Sequence, residues 1–185
     1  MRKNLLPYLC FILCLLSCIK EKQTGADLAI GDSIPDFSVL MNDGTAVSAE
    51  QLSKGTACIV FFTTACPDCR QTLPVIQGLY NEYTPKGVQF VLISRQEGAE
   101  SIAKYWQEQG YTMPYSAQED RKVYELFAKT RVPRVYIIKN GIIKSIHTDD
   151  PIPTYDALAV LLTELVRSQN KFKVGNFPAF SFGVR

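Results

Sequence analysis

The chain contains no basic run interleaved with aromatics: its 20 lysines and arginines are scattered among 18 acids, for a formal charge of +2. A polyanion-binding tract is therefore not encoded, and nucleic acid is not an expected partner. No internal repeat or low-complexity segment occurs, which excludes a repeat architecture. An apolar run comfortable for crossing a bilayer is also missing, because the N-terminal segment Leu5 to Ile19 stops at Lys20-Glu21-Lys22. Apolar residues make up 46% of the chain and charged residues 21%, values that suit one globular domain with a full core.

What the N-terminus does have is Arg2 and Lys3 ahead of a short apolar segment, the pattern of a secretory signal. Leu15-Leu16-Ser17-Cys18 resembles the lipobox of bacterial lipoproteins, which are cut before the cysteine and acylated on it. This implies a signal peptide over 1–17, lipid attachment at Cys18 and a polar tether over 18–29. It places the protein in the bacterial cell envelope, membrane-bound through lipid and facing the periplasm. Several acyl chains anchor durably, since each buried CH₂ contributes about 0.8 kcal/mol.

Of the six cysteines, Cys10 and Cys14 leave with the signal and Cys18 carries lipid. Cys58 sits in an apolar run and reads as a small buried hydrophobe. Cys66 and Cys69 remain, in Ile59-Val-Phe-Phe-Thr-Thr-Ala-Cys-Pro-Asp-Cys-Arg-Gln-Thr-Leu-Pro74. The β-prone stretch ends near Thr63 and a helical stretch starts near Pro67, so Cys66 falls at a helix N-terminus. Free N–H groups and the helix dipole favour thiolate there, and two intervening residues let a second sulfur close a disulfide. No disulfide framework is left over, so the core alone must hold the domain together.

Along the chain, Ile30 to Leu40 reads as an edge strand with Pro35 near its start, followed by an Asn42-Asp43-Gly44 turn and a short return near Thr45 to Val47. Ser48 caps a helical turn ending near Gly55. Cys58 to Phe62 and Val88 to Ile93 are buried strands. Helices are predicted from Cys66 to Tyr83, with a kink at Pro74, and over Ala99 to Gln109, Asp120 to Lys129 and Tyr155 to Ser168. Arg134 to Lys139 and Ile142 to His147 flank Asn140-Gly141, a strong hairpin signal. The domain would span 30–170. A tail over 171–185, carrying Phe172, Phe177, Phe180 and Phe182, is expected to pack back on it.

These pieces resemble, over about Ile30 to Ser168, the membrane-anchored thioredoxin-like lipoproteins of the TlpA/ResA type, within the redoxin group that includes the alkyl hydroperoxide reductases. Gly31-Asp-Ser-Ile-Pro-Asp-Phe37 is similar to that family's lead-in, Cys66-Pro-Asp-Cys69 to its active-site motif, and Val132-Pro133 to its cis-proline loop. The resemblance implies an α/β thioredoxin-like fold: a mixed central sheet flanked by helices, with an N-terminal hairpin and a central insert. It also implies that Val132 and Pro133 hold a client segment against Cys66. Three positions depart from the pattern. Ala65 replaces the usual tryptophan before the first cysteine, Val60 stands where thioredoxin has a buried aspartate, and Thr72 where ResA-like proteins have a glutamate.

The expected chemistry is thiol–disulfide exchange by the Cys66 and Cys69 dithiol, with Cys66 attacking first. Pro67 removes one N–H and Asp68 adds a negative charge beside the pair, a combination expected to make the protein reducing. The implied partners are client proteins with disulfides and a membrane electron donor, and neither cofactor nor metal is expected. A peroxidase is the first alternative, because Thr63-Thr-Ala-Cys66 holds half of a peroxiredoxin motif. Ile59 stands where its proline belongs. Copper delivery is the second, but such proteins separate their cysteines by three residues, and the single histidine, His147, lies in a predicted strand.

Overall fold

The computed structural model describes residues 27–174, with side chains to Gln169. The signal peptide, Cys10, Cys14, Cys18 and most of the tether lie outside the described residues, as does the tail beyond Val174.

The fold is built around β3 (Thr56–Phe62), which is buried at every position. It pairs in parallel with β4 (Val88–Ser94) and antiparallel with β6 (Arg134–Lys139). β7 (Ile142–His147) closes one edge and the two-residue β5 (Tyr115–Ser116) the other, giving the order β5-β4-β3-β6-β7. A strand covered on both sheet faces must be apolar throughout, which Ala57 to Phe62 are. The β6–β7 turn is Asn140-Gly141, with φ of 50° and 76°, the positive pair that a tight hairpin requires.

The expected N-terminal hairpin forms apart from this sheet, which its lead-in touches through a single antiparallel bridge, Ser33 to Ile142. β1 (Ser38–Leu40) pairs only with β2 (Ala46–Ser48), in a separate two-stranded sheet. Upstream, Gly31 and Ile34 donate to Ile143 and Gly141 carbonyls at 2.9 Å each, but Pro35 has no N–H to continue the ladder. The ordered domain also begins before Ile30. Leu28 N–H donates to Phe127 O at 2.9 Å, and Asp27 receives the Lys129 N–H.

Ser48 caps α1 (Ala49–Leu52) in a reciprocal box with Gln51. α2 (Pro67–Tyr83) runs through Pro74, whose missing N–H leaves the Arg70 carbonyl without its helical donor. α3 (Ala99–Gln109) ends at Gly110 in the left-handed region. α4 is only Lys122–Glu125, not a helix to Lys129: the Lys129 N–H leaves the helical path for Asp27. α5 (Tyr155–Val174) runs past the boundary expected at residue 170. It packs on α2 through Tyr83, whose hydroxyl donates to Ala159 O at 3.0 Å, while a cross-helix contact from Gly78 to Tyr155 leaves no room for a larger side chain without adjustment.

One flank of the core is a cluster of rings. Phe127 meets Phe37, Phe61 and Tyr136 with centroids 5.3, 5.0 and 5.5 Å apart. Phe127 is fully buried, so truncation removes both its transfer energy and its ring contacts. Phe127→Ala is expected to lower unfolding stability by about 3–5 kcal/mol, read as a shift in the denaturant midpoint at unchanged m-value.

Candidate active site

Cys66 is the N-cap of α2, with extended backbone (φ −81°, ψ 123°), and Pro67 follows at the first helical position. Pro67 has no N–H to orphan there and its φ suits the helix. Cys66 is half-buried, whereas Cys69, one turn further on, is buried. Both are free thiols, as is Cys58. Burial pushes the Cys69 thiol above its ordinary range, countered by a backbone hydrogen bond from Thr63 and reinforced by the neighbouring Cys66 sulfur and the Asp68 charge. Cys58 is pushed up to about 12 by burial alone. It lies in mid-strand between Phe90 and Ile137, away from the β3 end that leads to the motif.

The Val132–Pro133 peptide is cis, and the Cys66 thiol donates to Val132 O at 3.4 Å. The sheet makes this meeting possible: antiparallel register sets Arg134 opposite Phe61, so the residues before β6 emerge at the end of β3 that leads to Cys66. Among the described residues, the Val132 N–H has no acceptor. Cys66, Cys69, Val132 and Pro133 are therefore brought together, while Pro67 and Asp68 lie in the first turn of α2 beside them. His147 is not part of this group. It is half-buried on β7, where burial lowers its basicity and its Nε2 lies 3.1 Å from Ser145 Oγ. Among the described residues no cluster of three metal-binding side chains forms.

Val60 and Thr72, the positions where relatives of the resembled type carry acids, are both fully buried. Thr72 spends its hydroxyl on the Asp68 carbonyl at 2.9 Å. A carboxylate that sequence reasoning missed instead supports the loop before Cys66. Glu97 accepts the Thr64 N–H at 2.7 Å, and also the Thr64 hydroxyl and the Ser101 hydroxyl, the latter at 3.1 Å. With three donors on it, Glu97 acts as a fastener for this loop. Arg70 holds the same loop from α2, donating from Nε to Thr64 O at 2.7 Å with its guanidinium over the Tyr105 ring. The signal for Glu97 was its place three residues past the carboxyl end of β4, where polar residues of α/β sites collect.

With the dithiol and the cis-proline loop in place, the comparisons with known proteins fall into line. The AhpC/TSA family profile matches residues 30–146. The chain belongs to the AhpC/TSA family. Thiol-disulfide oxidoreductase ResA of Oceanobacillus iheyensis is 29% identical over 146 residues, covering 76% of this chain and 75% of that protein. A thioredoxin-family thiol:disulfide interchange protein of Chlorobium tepidum has a similar structure, with TM-score 0.64 at 20% identity over 75% of this chain and 99% of its own. Peroxidoxin BcpB of Mycobacterium tuberculosis shares the fold at TM-score 0.60 and 18% identity, over 76% and 97% of the two chains. Within its family this chain is a ResA-like redoxin with a thioredoxin fold, and an oxidoreductase of the thioredoxin-like kind.

Glu97→Ala should leave the Thr64 N–H without its acceptor and cost about 1–3 kcal/mol. The measurement is amide hydrogen exchange: protection at Thr64 should fall more than protection in mid-β3, and a uniform loss across both would refute the fastening role.

Proposed function

We propose that this protein is a lipid-anchored reductase of disulfides in client proteins outside the cytoplasm, working through the Cys66-Pro-Asp-Cys69 dithiol. The observation that carries the reading is the unequal pair: a half-exposed Cys66 at a helix N-terminus, 3.4 Å from the carbonyl before a cis-proline, with Cys69 buried behind it. Only Cys66 is accessible to a second protein, and the Val132 backbone beside it offers an acceptor and a free donor to an extended client segment.

In the proposed reaction the Cys66 thiolate attacks one sulfur of the client disulfide, and the other client sulfur leaves as a thiolate that takes up a proton. Cys69, after losing its own proton, attacks the Cys66 sulfur of the mixed disulfide and expels the second client thiol. The client gains two electrons and the chain is left with a Cys66–Cys69 disulfide. A membrane dithiol donor returns the electrons. Attachment at Cys18 would keep the domain at the membrane surface near such a donor, and among the described residues no helix is long and apolar enough to cross a membrane.

Cys66→Ser should abolish disulfide reduction, and Cys69→Ser should accumulate mixed disulfides on Cys66. Because burial holds Cys69 protonated, release of a model thiol from a preformed Cys66 mixed disulfide should accelerate about tenfold per pH unit from pH 6 to 9. A rate independent of pH, or equal alkylation of the two thiols in the reduced protein, would refute this assignment of roles.

The anchor is tested separately. Cys18→Ala should leave the precursor uncleaved at that site or move the protein out of the membrane fraction. An unmodified Cys18 in the mass spectrum of membrane-extracted protein would refute lipidation.

A further inference from the structure

The segment from Lys129 to Pro133 belongs to no helix or strand, yet side chains from three other places hold the backbone of its first three residues. Asp27 Oδ1 accepts the Lys129 N–H at 2.8 Å, and Arg121 Nη2 donates to Lys129 O at 2.6 Å. Arg134 Nη2 donates to Thr130 O at 3.1 Å and to Asp27 Oδ2 at 2.7 Å. The Tyr124 hydroxyl donates to Arg131 O at 2.7 Å. Three consecutive loop residues are thus pinned immediately before the Val132 carbonyl that meets Cys66.

Arg131 has φ of 72°, a left-handed conformation that a non-glycine residue adopts only when its surroundings impose it. Its carbonyl is the one Tyr124 holds. Arg134 is 6% exposed, and its Nε has no hydrogen-bond partner. A buried guanidinium left short of a partner is a poor source of stability, since an apolar side chain of similar size avoids the desolvation. What Arg134 does achieve is geometric. From the residue after the cis-proline, its one Nη2 ties the Thr130 carbonyl to the Asp27 carboxylate, joining the loop to the N-terminal segment.

We propose that Arg134, Asp27 and Tyr124 are positioning residues that fix the Val132 N–H and carbonyl relative to Cys66, and so determine how well an extended polypeptide disulfide is held for attack. The proposal rests on the reading of Cys66 as the attacking thiol and of Val132 as the client-facing backbone. None of the three touches the reacting sulfurs. Their effect should therefore appear in discrimination between substrates: a disulfide with peptide groups on either side uses the Val132 backbone, and hydroxyethyl disulfide, which has none, does not.

The test compares kcat/KM of the reduced protein for a disulfide-bonded peptide with that for hydroxyethyl disulfide, and uses the ratio as readout. Asp27→Asn, at an exposed site, and Tyr124→Phe, which keeps the buried ring, should each lower the ratio about threefold to tenfold, through KM for the peptide. Arg134→Gln should lower it more than either, and Arg134→Lys, which keeps one cationic donor for Asp27, should recover part of the loss. An unchanged ratio in Asp27→Asn and Tyr124→Phe would overturn the proposal, as would parallel losses on both substrates, the mark of a merely structural role. A wild-type chain inert toward both disulfides would overturn the reading of the dithiol itself, and with it the assignment of these three residues.

Discussion

The antiparallel pairing of β6 with β3 is the constraint on which the site depends. Cys66 and Val132 are 66 residues apart in sequence, and no local preference brings them together. The register that sets Phe61 against Arg134 and Val60 against Val135 does so, because an antiparallel partner begins where its neighbour ends. A shift by one residue would turn each side chain of β6 to the opposite face of the sheet, into packing shaped for its neighbour. With β6 buried from Arg134 to Ile138, the core itself forbids the slip.

The same placement divides the two thiols by environment. A helix start at the carboxyl edge of a sheet leaves its first residue at the surface and turns later residues of the first turn toward the core. Cys66 is therefore accessible, while Cys69 is desolvated. Unequal thiols suit a two-step exchange, in which one sulfur must meet a large partner and the other must wait until the mixed disulfide has formed. In such an exchange the second sulfur would have to shed a proton in a poorly solvated place, and neither Val60 nor Thr72 supplies a carboxylate there.

Charged side chains around the site serve mainly as ties. Glu97 and Arg70 hold the loop before Cys66, and Asp27, Arg121 and Arg134 hold the loop before Pro133. Both loops carry backbone groups that neither helix nor strand satisfies, and buried polar groups without partners are expensive. Satisfying them with side chains drawn from distant parts of the chain gives each loop a fixed shape without extending the sheet. The short α4 follows from the same demand, since the Lys129 N–H is bound by Asp27 and is lost to the helix.

The elements that local pattern can specify were legible. A wholly apolar run specified β3, Asn140-Gly141 specified the β6–β7 hairpin, and two cysteines at a strand-to-helix handover specified the dithiol and its helix. The Tyr115–Ser116 strand was not legible because two residues carry no alternation. The end of α4 and the true start of the domain were hidden because both depend on Asp27 meeting residues more than a hundred positions away. Sequence alone thus pointed to the kind of chemistry, that of a thioredoxin-like oxidoreductase, because a cysteine pair and the helix start beside it are set by adjacent residues. Only the tertiary structure decided what stands around that thiol, Val132, Glu97 and the Arg134 scaffold, because hydrogen bonds between distant segments exist only once strand register has set their separation.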